Sequence, residues 1–127
     1  MHTKAAICLL ALLAMLTVCP LAWAAAEMPA KLGVEFAPYP GSTVVDATDS
    51  PMIVQAILDC GSASEQKVYD FYKKQASKKG WKILVERQGS GLRHLMISKT
   101  GMNGNIAVGS EGGKTSASIT LMKSRRK

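Results

Sequence analysis

Cys60 and His94 are the two side chains in the body of this chain whose types suit nucleophilic or acid–base chemistry. Cys60 precedes Gly61 at a predicted strand-to-helix junction. A helix N-terminus there would lower the thiol pKa and make Cys60 a reactive thiol. A lone Cys serves equally as a small buried hydrophobe. His94 lies mid-strand beside Arg93, with no Cys or second His near it in sequence. A metal site needs several ligands, and a general base needs a nucleophile or substrate within reach. A structural or surface role suits His94 better. Asp46 and Asp49 are too few for a calcium loop. Gly109-Ser110-Glu111-Gly112-Gly113-Lys114-Thr115 approaches a phosphate-binding loop, but Val108 stands where its first Gly is required. No helix pattern follows, and the stretch reads as a hairpin turn. No catalytic, metal or cofactor-binding residue is assigned, and no cofactor is expected.

The N-terminal residues address the compartment. Lys4, the apolar run Ala5 to Val18 and the small-x-small triplet Ala22-Trp23-Ala24 form the three regions of a signal peptide. Cleavage is expected after Ala24, with Ala26 as second choice. Leu16-Thr17-Val18-Cys19 approaches a lipobox, so lipid anchoring through Cys19 is an alternative, as is a retained anchor. Val18 is bulky for that motif, and Pro20 follows the Cys. Either cleavage removes Cys8 and Cys19. Cys60 then stands alone, and no intramolecular disulfide can form. That also argues against an oxidoreductase, which needs a second thiol for resolution.

About a hundred residues remain, enough for one domain with one core. Charge divides along the chain. Residues 25–66 hold Lys31 against Glu27, Glu35, Asp46, Asp49, Asp59 and Glu65, whereas residues 67–127 hold only Asp70, Glu86 and Glu111 against a large excess of Lys and Arg. A basic surface favours anionic partners, and no nucleic acid is expected for an exported chain. Lys73, Lys74, Lys78, Arg125 and Arg126 are the candidate anion-binding residues, with anionic lipid or polysaccharide as ligand. The plainer account of the lysines is a solvated helix end that suits the helix dipole.

The elements that must position these residues follow from pattern. Residues 25–42, punctuated by Pro29, Pro38 and Pro40, read as an extended lead-in, with a type II turn at Pro40-Gly41. Strands are expected at Thr43 to Ala47 and Met52 to Asp59. Ser62 and Glu65 have capping-box spacing. Val68, Phe71, Tyr72, Gln75, Ala76 and Lys79 follow at helical spacing, and Gly80 supplies the left-handed stop. Trp81, Ile83 and Val85 alternate with Lys82, Leu84 and Glu86 in a strand. Leu92 to Lys99 forms another, and Asn105 to Ser110 and Lys114 to Lys123 form a hairpin around Gly112-Gly113. Residues 43–123 therefore read as a single α+β domain, with one amphipathic helix packed on a mostly antiparallel sheet in the order β-β-α-β-β-β-β. Residues 124–127 are a basic tail. Two strands are apolar on both faces, which predicts cover on both. Leu95, Ile97, Ile53 and Ile57 are accordingly expected to form a surface for a homodimer or an envelope protein partner.

Tyr39-Pro40-Gly41, Phe71-Tyr72-Lys73-Lys74 and Gly80-Trp81 occur in a familiar order. Over residues 38–100 the chain resembles small exported bacterial proteins of uncharacterised function, often lipoproteins. That resemblance implies a compact bacterial envelope domain, periplasmic or secreted, and carries no activity. The motif residues look architectural. The expectation is an exported, envelope-associated, non-enzymatic binding module. The alternatives are a small thiol-dependent or hydrolytic enzyme using Cys60 and His94, and a structural subunit of an envelope assembly.

Overall fold

A computed structural model describes residues 26–89 and 91–124. The signal peptide and the lipobox at Cys19 expected from sequence, and Arg125 and Arg126 of the expected tail, lie outside the described residues. The elements are α1 (Ala30–Gly33), β1 (Thr43–Asp49), β2 (Ile53–Asp59), α2 (Glu65–Lys78), β3 (Lys82–Gly89), β4 (Leu92–Lys99), β5 (Met102–Glu111) and β6 (Lys114–Lys123). The strands make one sheet in the order β1-β2-β6-β5-β4-β3, with every neighbouring pair antiparallel. The α+β class and the strand–helix order expected from sequence are those observed.

Local chemistry explains the junctions. Gly112 and Gly113 have φ of 59° and 78°, the pair of positive values that a type I′ hairpin needs between β5 and β6. Gly41 has φ of 82°, and the Ser42 N–H donates to the Tyr39 carbonyl at 2.9 Å, closing the Pro40-Gly41 turn. At the end of α2 the Gly80 N–H donates to the Ser77 carbonyl and the Trp81 N–H to the Ala76 carbonyl. That pair of bonds is a Schellman motif. It turns the chain and drops Trp81 into the core directly after the helix.

The start of α2 departs from expectation. Its N-cap is Ser64, without a side-chain cap bond, and Glu65 is the first helical residue. The Glu65 carboxylate instead accepts from the Ser110 hydroxyl at 2.9 Å and lies 3.1 Å from Arg93. The Ser62–Glu65 capping box does not form because tertiary partners claim the carboxylate. The buried stripe is Val68, Tyr69, Tyr72 and Ala76.

One helix cannot cover this sheet. Six strands at about 4.8 Å spacing span about 24 Å, while a helix with side chains covers about 10 Å. α2 packs over β3, β4 and β5, and α1 packs over β2 on the same face. The predicted extended lead-in is thus partly a helix. One turn is too short to show periodicity, and it is held by tertiary packing: Leu32 and Phe36 are fully buried in the core. Gly104 on β5 lets that core close. A Cβ there would lie 2.7 Å from Ile97 Cγ1.

Two bulges reset the faces. Register slips between Val44 and Asp46 on β1 and between Ile83 and Val85 on β3. The slip at Leu84 breaks the alternation read from sequence. Glu86, not Val85, comes to lie opposite core residue Leu95.

The expected partner surface is also corrected. Leu95 and Ile97 are 0% and 1% exposed, in the core beneath the helices. Ile53 and Ile57 alternate with the buried residues of β2 and face the other way. No single surface holds all four. The outer face is polar at its centre, where Gln55, Asn105, Ser118 and Thr120 stand on β2, β5 and β6. Gln55 Nε2 donates to Ser118 Oγ at 3.3 Å.

Candidate functional site

The residues that carried the sequence resemblance converge in space. Phe36 lies 6.3 Å from Tyr72 and 6.0 Å from Trp81, ring centre to ring centre. Phe71 meets Tyr72 edge-on at 5.1 Å and Tyr39 edge-on at 5.2 Å. Edge-to-face pairs of this kind add about 1 kcal/mol each beyond area burial. The lead-in is fastened to α2 by two further bonds. The Ala37 N–H donates to Gln75 Oε1 at 2.8 Å, and the Tyr39 N–H donates to the Tyr72 hydroxyl at 2.9 Å. Burial holds the Tyr72 phenol well above its ordinary pKa, so it stays a neutral acceptor for that N–H.

This fastening makes a groove. The Tyr39-Pro40 turn forms one wall and the outer side of α2 the other, and the groove between them is open to solvent, with a volume of about 730 Å³. Phe71 lies between Lys67 and Lys74 along the helix, and Asp70, Lys73 and Ser77 complete the lining. Positions 67, 71 and 74 share one side of a helix by the i, i+4, i+7 rule. Lys73 is engaged elsewhere, with Nζ 2.7 Å from Glu86 Oε1. Among the described residues neither Lys67 nor Lys74 enters an ion pair. The groove thus offers an aromatic floor with two ammonium groups that, among the described residues, enter no ion pair, and one carboxylate, Asp70, beside them; it is suited to an anion that carries an apolar part.

A network of charged groups stands behind it. Arg93 lies 3.1 Å from Glu65, with its guanidinium 5.9 Å from the Tyr69 ring centre. The Tyr69 hydroxyl donates to Glu86 Oε1 at 2.7 Å. Burial, then the Glu86 hydrogen bond and charge, pushes the Tyr69 phenol up to about 12. Hydrogen bonds from Lys73 and Tyr69 hold the Glu86 carboxyl below its ordinary range. This chain of contacts ties edge strand β3 to α2 and spends the charge of Lys73.

The sequence candidates are distributed as follows. Lys74 lines the groove, Lys73 is neutralised, and Lys78 lies further along α2, beside Ala37 and Gln75. They do not form one cationic patch. Cys60 is buried, and α2 begins only at Glu65. Burial, with the nearby Asp59 charge, raises its pKa rather than lowering it. The reactive-thiol expectation is corrected accordingly, since a protonated buried thiol is a poor nucleophile. His94 pairs with Arg87 and Ala107 on the sheet's outer side, while Cys60 hydrogen-bonds to Thr115 on the side of the core. The two are not brought together. Tyr39, Lys67 and Tyr69 were not singled out as site residues from sequence. Tyr69 had a signal, because positions 68, 69, 72 and 76 have the spacing of a buried helical stripe.

A family model described as START domain-like matches residues 42–119, more than half of the chain. The match runs from just before β1 into β6, and α1 lies outside it. No curated protein sequence matches this chain.

Proposed function

Because the chain belongs to the START domain-like family, we propose that it is a ligand-binding module, and that it is exported, envelope-associated and non-enzymatic. The groove between α2 and the Tyr39-Pro40 turn is its binding site, and an amphipathic anion is its ligand. One observation carries this reading: Lys67 and Lys74 bracket Phe71, and among the described residues neither enters an ion pair. The groove volume of about 730 Å³ falls in the range of small-molecule sites. An apolar segment would lie against Phe71 and Tyr39, and the anionic group would meet the lysines. The attraction acts at the surface, so binding should weaken as salt rises. Export is supported by Lys4, the apolar run Ala5 to Val18 and the Ala22-Trp23-Ala24 triplet. The enzymatic alternative loses its support, because Cys60 is buried with a raised pKa and His94 stands on the other side of the sheet.

Titration with dodecyl phosphate, below micelle formation, tests the site by amide chemical shifts. Shifts should cluster at Tyr39, Phe71 and Lys74, shrink with added salt, and weaken in Lys67→Glu and Lys74→Glu. Inorganic phosphate alone should produce much smaller changes. Shifts spread over the outer sheet face, or none at all, would remove the groove from consideration.

A further inference from the structure

Lys73 belongs to two arrangements at once. It lines the groove along α2 beside Phe71 and Lys74, yet its Nζ lies 2.7 Å from Glu86 Oε1, a carboxylate outside the groove. Glu86 stands on β3, at the edge of the sheet. The register slip at Leu84 sets it opposite core residue Leu95, on the side that α2 covers. The bulge thus delivers a carboxylate to the one lysine of the groove that is already paired.

The pair is open to water. The Lys73 and Glu86 side chains are 41% and 34% exposed. Exposed ion pairs contribute little net free energy and exchange readily for another partner. Lysine also has a flexible four-carbon stem that lets its charge move. From α2, Lys73 and the Tyr69 hydroxyl face Glu86, and the hydroxyl donates to the same Oε1 at 2.7 Å. From β4, Arg93 reaches Tyr69 but is engaged by Glu65 and Gln88. Within the groove the carboxylate is Asp70, whose Oδ1 accepts from Gln66 Nε2 at 2.9 Å. Neutralising Glu86 therefore raises the positive charge available at the groove by one unit, whether Lys73 then turns to Asp70 or to a ligand.

We propose that Glu86 competes with the ligand of the groove for Lys73. While the carboxylate is charged, Lys73 is withheld. When it is neutral, Lys73 becomes a third cation beside Lys67 and Lys74, and the groove holds an anion more tightly. This inference rests on the groove being the binding site. It adds a determinant of affinity that does not line the groove, and it makes acid the condition that strengthens binding. Hydrogen bonds from Lys73 and Tyr69 hold the Glu86 carboxyl below its ordinary value of 4.5, so the gain develops below that pH.

Glu86→Gln reproduces the neutral form at neutral pH. Followed by amide shifts at Tyr39, Phe71 and Lys74, it should bind dodecyl phosphate about threefold more tightly than the parent. Added salt should shrink the gain. Lys73→Gln in the same chain should remove most of it, which a merely structural role for Glu86 would not require. A second measurement keeps the native Glu86 and uses decane-1-sulfonate, whose head stays charged in acid. In Asp70→Asn, which removes the groove's own carboxylate, binding should tighten as pH falls from about 6 to about 3.5. In the pair Asp70→Asn and Glu86→Gln that tightening should vanish. Groove shifts in the parent with no gain in Glu86→Gln, or a gain undiminished by Lys73→Gln, would overturn this inference alone. Absence of groove shifts in parent and variants alike would overturn the groove as binding site and this inference with it.

Discussion

The backbone N–H of Tyr39 donates to the phenolic oxygen of Tyr72 at 2.9 Å, across 33 positions of sequence. That bond connects the core to the groove. Tyr72 is fully buried, and Tyr39 is a wall of the candidate site. Tyr72→Phe removes the acceptor and keeps the ring, leaving a partly buried N–H without its partner. We expect a loss of about 1–2 kcal/mol, seen as a lower urea midpoint with an unchanged slope. Dodecyl phosphate should then bind more weakly, although Tyr72 itself does not line the groove.

The network around Glu86 makes stability depend on pH at both ends of the scale. The folded Glu86 carboxyl is held below its ordinary value of 4.5, first by hydrogen bonds from Lys73 and Tyr69. A depressed carboxyl contributes stability that is present above the unfolded pKa and lost as pH falls through the folded one. The stability difference between the parent and Glu86→Gln should therefore shrink in acid. Tyr69 works in the opposite sense. Its folded pKa is raised from 10.0 to about 12, so its contribution is complete below pH 10 and lost toward pH 12. In tyrosinate absorbance, Tyr69→Phe should remove a titration step near pH 12. Retention of that step would place it on another residue.

Cys60 gives a prediction in kinetics. Its thiol is buried, and its pKa is raised by burial and by Asp59. Reaction with a disulfide reagent at neutral pH should be slow in the folded protein and fast in denaturant. Rapid modification of the folded protein would restore the nucleophile that the structure removes. Cys60→Ala should leave dodecyl phosphate binding unchanged, because the thiol lies outside the groove.

Much of this fold is legible because its signals are local. Gly80 stops α2, Gly112-Gly113 turns the last hairpin, and the apolar stripe of α2 has its own periodicity. What escaped depends on distant partners. α1 is one turn, and Leu32 and Phe36 are ordered by a core they cannot announce. Two-residue alternation separates Leu95 and Ile97 from their neighbours, but it does not say which side a helix will cover. The bulge at Leu84 then exchanges the faces of β3 without a Gly or Pro to mark it. The site was legible only in part. Lys74 was visible as a cation on a helix. Lys67 gains meaning only once the Tyr39 turn folds back over Phe71.

The strand order has a consequence for how the chain comes to be folded. β2 finds its second neighbour only in β6, the last strand of the sheet, through pairs running from Ile53–Met122 to Asp59–Ser116. Until those final residues arrive, the first hairpin has nothing to join, and the early core residues Val54, Ala56 and Leu58 have no lasting cover. Closing the sheet early in its synthesis is therefore barred by topology, since the pairing spans nearly the whole domain. The sheet therefore locks only when its final strand, β6, is available to pair with β2.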